Sequence, residues 1–211
     1  MKRIDAIVEL TKGYHTVIDI GCDHGFVLKK ALDKNYIIRG IAVDNKVGPL
    51  NAAKKNLSNY NVSFFLSNGF NQVSEKFDLA VITGMGYDLM TKIINQNPNK
   101  DTVYILGVNK DVDLLRKFLF NNGFNIIDEK IIFEGKYYPL IKTQKGVVNF
   151  IEDDFLIGPI LKDNFDSLGY YQHLLTRYQE LLDLVSHSKL PKVQKNVHVL
   201  TDIIEKLRKE Q

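Results

Sequence analysis

Thr16-Val17-Ile18-Asp19-Ile20-Gly21-Cys22-Asp23-His24 puts a strand, a bend and the approach to a helix into one short run. Val17, Ile18 and Ile20 give the continuous apolar pattern of a strand inside a parallel sheet. Gly21 removes the side chain at the bend, so a nucleoside-type cofactor can lie against the main chain. About twenty residues on, Ile37-Ile38-Arg39-Gly40-Ile41-Ala42-Val43 reads as a second strand that ends at Asp44. A carboxylate at that point is placed to accept hydrogen bonds from both hydroxyls of a ribose. Asn45, its neighbour, is counted with it.

Two cofactor classes use this layout, and one residue separates them. A dinucleotide site wants Gly-x-Gly-x-x-Gly, because a pyrophosphate must approach the backbone without meeting a side chain or a negative charge. Here Gly21 and Gly25 are present, but Asp23 takes the place of the second glycine. Its carboxylate repels a pyrophosphate and attracts the sulfonium and ammonium of S-adenosylmethionine. The loop therefore argues for S-adenosylmethionine and against NAD or FAD.

Composition narrows the class further. The chain has 211 residues, 45% hydrophobic and 25% charged, enough for one medium domain plus an appendage. Its single cysteine, Cys22, leaves no internal disulfide and no multi-cysteine zinc site, and no other feature suggests a metal. Cys22 reads as a small, semi-buried residue of the turn rather than a nucleophile. No apolar run reaches membrane-spanning length and no signal peptide opens the chain, so a cytoplasmic, membrane-free protein is expected, read as a monomer. The net charge of +3 permits a polyanionic partner without demanding one.

Strand and helix signals alternate through the first 145 residues, the pattern of a doubly wound α/β sheet. Helices are expected over 3–11, 24–34, 46–59, 87–96 and 111–121, and strands over 16–20, 37–43, 62–66, 77–82 and 102–107. Asp23 is a candidate N-cap of the second helix. Phe124–Phe133 and Lys136–Thr143 flank Glu134-Gly135, a two-residue hairpin signal. Strand–helix units closed by an antiparallel hairpin predict the seven-stranded Rossmann-like sheet of class I methyltransferases. After Lys145 the alternation stops. Residues 149–159 read as a linker. Leu168, Tyr171, Leu175, Tyr178, Leu182 and Val185 then step by three and four, as do Val193, Val197, Leu200, Ile204 and Leu207. That stepping predicts an antiparallel coiled-coil hairpin. The domains expected are thus 1–148 for the cofactor-binding unit and 160–211 for the hairpin.

Asp19-Ile20-Gly21-Cys22-Asp23-His24, Gly48-Pro49, Gly84-Met85-Gly86 and Asn109 together resemble the bacterial TrmK family. Its members are S-adenosylmethionine-dependent methyltransferases that modify ring nitrogen 1 of adenine at position 22, in the D-arm of tRNA. The resemblance covers essentially the whole chain, the C-terminal hairpin included. Four places depart from the family pattern. Cys22 stands for Ser, Asn68-Gly69 for Asp-Gly and Tyr87 for Gly, while Gly107-Val108-Asn109 keeps only the Asn of Gln-Pro-Asn.

The resemblance implies a cofactor set of Arg3, Asp19, Gly21, Cys22, Asp23, His24, Asp44, Asn45, Asn68, Gly69, Gly84 and Met85. Within it, Asn68 faces the cofactor's adenine amino group, Arg3 pairs with its carboxylate, and Asp19 fixes the turn and reaches its ammonium through water. His24 holds the loop at the helix start. Methylating ring nitrogen 1 needs little acid–base help, because that nitrogen carries an in-plane lone pair and no proton. Positive charge moves from sulfur to the base, so a nearby carboxylate stabilises it as it develops. Asp23 is the candidate for that carboxylate, Tyr87 for stacking on the base, and Asn109 for reading its Watson–Crick edge. The target nucleotide must be splayed out of folded tRNA, which requires grip elsewhere. Lys189, Lys192 and Lys195, at the tip and on the second helix of the hairpin, are the candidates. Two alternatives stand beside this reading: a small-molecule methyltransferase, and a cofactor-binding protein that recruits a partner through the hairpin.

Overall fold

The architecture was obtained as a computed structural model, which describes residues 2–210. The central strand β1 (Thr16–Ile20) is buried at every position, as its apolar run requires. It pairs in parallel with β2 (Arg39–Asp44) on one side and with β4 (Leu79–Thr83) on the other. Strand β3 (Val62–Leu66) extends the first side, and β5 (Val103–Gly107) the second. The sheet is closed by β6 (Phe124–Phe133) and β7 (Tyr137–Lys145), giving the order β3-β2-β1-β4-β5-β7-β6. Only β7 against its two neighbours is antiparallel. The strand order reverses between β1 and β4, and in open parallel sheets a ligand crevice opens at that point.

Helices α1 (Arg3–Leu10), α2 (Phe26–Asp33) and α3 (Val47–Asn56) bury one face of the sheet through Ile7, Val8, Leu28 and Ala53, with Leu57 at the C-cap of α3. The other face is covered by α4 (Tyr87–Gln96) and α5 (Val112–Asn121), through Met90, Ile93, Leu115 and Leu119. Strand alternation decides the side each residue takes. Ile18 and Ile20 join the second cluster and Val17 the first, so Asp19 faces the α1–α2 side.

Several expected boundaries move. Helix α2 begins at Phe26, not His24, because Asp23 and Gly25 both adopt left-handed backbone, at φ 48° and 72°. Gly25, not Asp23, is the N-cap. The chain between Leu66 and Leu79 carries no helix, so one strand–helix unit lacks its helix. The hairpin turn spans three residues, Glu134–Lys136, with Phe133 paired to Tyr137 and Gly135 at φ 69°.

Past the sheet, the stretch expected as a linker is packed instead. It contains the short helix α6 (Asp154–Ile157). Asp154 is buried there, accepting from the Ile151 amide at 3.1 Å and from Lys162 Nζ at 2.7 Å. Residues 161–167 form two 3-10 turns, after which α7 (Leu168–Leu182) opens where the stepping begins and α8 (Leu190–Lys209) starts just ahead of it. Pro191 falls in the first turn of α8, where its missing N–H costs nothing. The two helices pack as a hairpin over one apolar cluster that includes Tyr171, Leu200, Ile204 and Leu207 of the stepping residues and, beside them, Tyr170 and Ile203. At its base the cluster continues onto Ile131 and Tyr137 of the sheet, through Ile157 and Leu161.

Candidate active site

The turn after β1 is stapled to the end of β2. The amides of Gly21 and Cys22 both donate to the Val43 carbonyl, at 2.9 and 3.0 Å. The Asp44 carboxylate accepts from the Asp23 amide at 3.2 Å and from the Lys46 amide at 2.9 Å, one bond to each oxygen. Asp44 and Val43 thus hold the turn, a role expected of Asp19. Each Asp44 oxygen keeps a second acceptor site for a ligand hydroxyl. Gly21 stands at φ 78°, and a Cβ there would come within 3.3 Å of Met85 Cε. Gly25 is still more constrained, since a Cβ would meet Leu57 Cδ1 at 2.5 Å.

A cleft of about 430 Å³ opens over this turn. Of the residues expected at a site, it gathers Arg3, Asp19, Gly21, Cys22, Asp23, His24, Gly84 and Asn109. Asp44 sits behind the turn, tied to it through the Asp23 amide. Met85 stands against Gly21. Asn45 and Asn68 are exposed on the loops after β2 and β3. Gly69 is buried at φ 65°, where a Cβ would strike Gln96 Oε1 at 2.7 Å. Tyr87 is not in the cleft wall; it opens α4 half-buried against the second apolar cluster, which is why it does not present its ring to the cleft. Lys189, Lys192 and Lys195 are all exposed. Lys195, however, is engaged by Glu152 at 2.8 Å and Asp153 at 3.3 Å, which removes it from a free cationic row.

The electrostatics centre on Asp19. Its carboxyl is 4% exposed and faces the cleft, and burial followed by the charge of Asp44 pushes its pKa up to about 7. A buried carboxylate beside a second one is a site that a cation relieves. Cys22 responds in the same direction: burial, then the charges of Asp19 and Asp44, raise its thiol far above the usual range. The thiol therefore stays protonated and is no nucleophile at neutral pH. Asp23 differs in kind, since its side chain is 68% exposed at the loop apex, 3.7 Å from His24 Nε2. The His24 ring stacks on Phe26, with centroids 5.4 Å apart and planes at 17°.

Ile4, Ile7, Phe26, Val27 and Thr83 complete the lining, and none was singled out from the sequence. Ile4 and Ile7 read only as the apolar face of a short amphipathic helix. Phe26 had a signal available, a large apolar residue directly behind the glycine that starts a helix. The wall offers a buried carboxyl and an apolar flank, and a second carboxylate stands behind the turn at the end of β2. That combination suits a ligand bearing both a cation and a ribose.

A switch-point cleft on a sheet ending in an antiparallel hairpin defines a nucleoside-cofactor domain of the class I methyltransferase type. The family model described as "Methyltransferase domain" matches residues 1–141, and the chain belongs to that family. Among curated proteins, it is 29% identical over 209 residues to "Putative tRNA methyltransferase MG248" of Mycoplasma genitalium, covering 91% of this chain and 96% of that one. Among solved structures, it is similar to M. capricolum TrmK in complex with S-adenosyl-homocysteine, at 23% identity and a TM-score of 0.85, covering 97% of each chain. It is likewise similar to the B. subtilis m1A22 tRNA methyltransferase TrmK, at 22% identity and a TM-score of 0.83, covering 96% of this chain and 97% of that one. Both structural matches extend past residue 141 through the helical hairpin. Among the described residues, no helix is long and apolar enough to cross a membrane.

Proposed function

We propose that this chain transfers a methyl group from S-adenosylmethionine to ring nitrogen 1 of an adenine in the D-arm of tRNA, at position 22. The observation that carries the reading is Asp19, buried in a cleft whose turn is fixed by Asp44 and raised in pKa by burial and by the Asp44 charge. The residues present fit S-adenosylmethionine. Asp19 faces its cationic end, Asp44 accepts from its ribose, and the side-chain-free turn at Gly21 leaves room for close approach. When bound, the cofactor supplies an electrophilic methyl group on a sulfonium. Arg3, also in the wall, is placed for its carboxylate.

Asp23 and Asn109 take the substrate side. Asp23 is exposed at the loop apex and offers its carboxylate to the positive charge that builds on the adenine. Asn109, exposed in the loop after β5, offers an amide to the base edge. No proton has to be removed, which agrees with a wall that lacks a nucleophile–base pair. The relatives named as tRNA methyltransferases match along nearly the whole chain, which supports the reading that the hairpin at 160–211 serves the substrate rather than cofactor binding.

The test is methyl transfer from S-adenosylmethionine to tRNA transcripts, followed by mass spectrometry of the digested nucleosides. The expected product is 1-methyladenosine, lost when adenine 22 is replaced by guanine. Methylation of a different base, or of the adenine-22-substituted transcript at an equal rate, overturns the assignment.

A further inference from the structure

Phe26 is half exposed, although it opens a helix and flanks the cleft. Its ring has a second side. Beyond it lies a separate pocket of about 350 Å³, lined by Lys2, Arg3, Ile4, Phe26, Lys29, Lys30, Asp33 and Glu134. It shares Arg3, Ile4 and Phe26 with the cleft but contains none of the turn residues, nor Gly84 or Asn109. The reacting base therefore does not sit there.

Four cations and two carboxylates rim this pocket around an apolar floor. Lys29 is partnered by Asp33 at 3.1 Å and by the Tyr60 hydroxyl at 2.8 Å, and Lys30 by Asp5. Glu134 accepts from the Arg3 amide at 2.9 Å, while the Arg3 guanidinium lies 4.8 Å over the Tyr138 ring. Lys2 is exposed. The local surplus is positive and surrounds an aromatic face open to solvent. An aromatic platform with a cationic rim suits a nucleotide, because every base has a stacking face and every phosphate a charge.

We propose that this pocket takes a nucleotide of the substrate RNA adjoining the one presented in the cleft, its base stacked on Phe26 and its phosphate at Lys2 and at Lys30, which exchanges its Asp5 partner for the phosphate. The proposal rests on the RNA-methyltransferase reading above and deepens it. An extruded base leaves its neighbours unstacked, and Phe26 gives one of them a new partner next to the reaction.

The chain contains no tryptophan, so Phe26→Trp introduces a sole indole reporter at the platform. Unmodified tRNA, titrated in the presence of S-adenosyl-homocysteine, should quench its emission saturably, while heparin, a polyanion without bases, should not. Lys2→Gln with Lys30→Gln, made in the otherwise natural chain, should weaken tRNA binding about three- to tenfold with little change in affinity for S-adenosyl-homocysteine. Unchanged emission in a Phe26→Trp protein that still methylates tRNA overturns the subsite and leaves the methyltransferase reading standing. Equal quenching by heparin reduces the pocket to a charged patch and overturns base stacking. Wild-type tRNA affinity in the double lysine variant removes the phosphate rim. Saturable quenching by tRNA, in a chain that methylates no adenine, supports the pocket and overturns the function.

Discussion

Asp19 and Glu129 are both buried carboxylates, 4% and 2% exposed, and the protein treats them in opposite ways. Glu129, beneath the hairpin, is matched on every side. Its Oε1 accepts from Arg116 Nε at 2.9 Å and its Oε2 from the Ile160 amide at 3.1 Å. Arg116, itself fully buried, donates onward to the carbonyls of Phe155 and Leu156 at 3.1 and 2.9 Å. The ion pair thus ties α5, β6 and the α6 segment into one junction. Asp19 instead faces a cleft, with another carboxylate behind it. A buried acid with a full set of partners holds structure together; one kept without a cation is held ready for a ligand that brings one. The contrast sets the cleft apart from the structural junction independently of any motif.

The largest effect should come from breaking the matched pair. Arg116→Met leaves Glu129 buried and uncompensated, and should cost about 3–5 kcal/mol of stability, read by chemical denaturation. Replacing Glu129 as well, by Gln, should recover part of that loss. Gly158→Ala should also be severe. Gly158 sits at φ 85°, and a Cβ there would meet Glu129 Oε2 at 2.6 Å and Arg116 Nη2 at 2.7 Å. If Arg116→Met costs under about 1 kcal/mol, the junction is no bolt and the comparison fails at its first term.

On the cleft side, Asp44→Ala removes the acceptor that fixes the Asp23 amide and that we propose for the ribose. Each charge-assisted bond lost should cost about 1.5–3 kcal/mol of cofactor affinity in a calorimetric titration. The fold should survive, because Val43 still receives two amides of the turn. An unchanged affinity would take Asp44 out of the site.

A subtler contrast lies in pH. The Asp19 pKa is raised in the folded protein from an ordinary carboxylate value to about 7, so between those values the native state binds more protons than the unfolded one. Its contribution to stability therefore falls as pH rises from about 4 to about 7, and the penalty is complete above that. Asp19→Asn should remove this slope, leaving the variant more stable than the ligand-free parent at pH 8. Cofactor binding should run the other way. A cationic ligand prefers ionised Asp19, so affinity should rise through pH 7, by about tenfold for each unit its pKa drops on binding, and Asp19→Asn should flatten the rise. Parallel stability curves for the two proteins would show that Asp19 is not the stressed group.

These differences also explain what could be read in advance. The turn after β1 and Asp44 were legible because a strand, a glycine and an acid at fixed spacing are local signals. The helices of the hairpin were legible for the same reason, since helical stepping needs no partner to be seen. The junction was not. Arg116 stands 39 and 40 residues from the carbonyls it reaches, and in sequence it is one more charge on an amphipathic helix. Residues 149–159 looked like a linker because their acids read as solvated, whereas Asp154 is turned inward onto Lys162 and the Ile151 amide. Tyr87 misled because the glycines before it suggest an open loop, yet its ring finds apolar neighbours at the start of α4. Asp23 misled as a cap because nothing local announces a left-handed residue two places before the helix begins.

The smallest effect concerns the far end of the hairpin, where one lysine differs from the other two. Lys195 is held by Glu152 and Asp153 and binds the hairpin back to its own domain, whereas Lys189 and Lys192 stand exposed near the tip. Lys195→Gln should lower stability only slightly, since the pair is solvated and salt-screened. It should leave the salt dependence of tRNA binding nearly unchanged. Lys189→Gln with Lys192→Gln should do the reverse, keeping stability and reducing the slope of log affinity against log salt by about one to two, as fewer counterions are released per complex. The measurement is tRNA affinity over a salt series for each variant, beside its denaturation midpoint. If Lys195→Gln flattens the salt slope as much as the tip pair does, its ion pairs open on binding and the tip acts as one cationic row of three. If neither changes it, the hairpin grips no phosphate there, and its contribution to the enzyme ends at the Arg116–Glu129 junction.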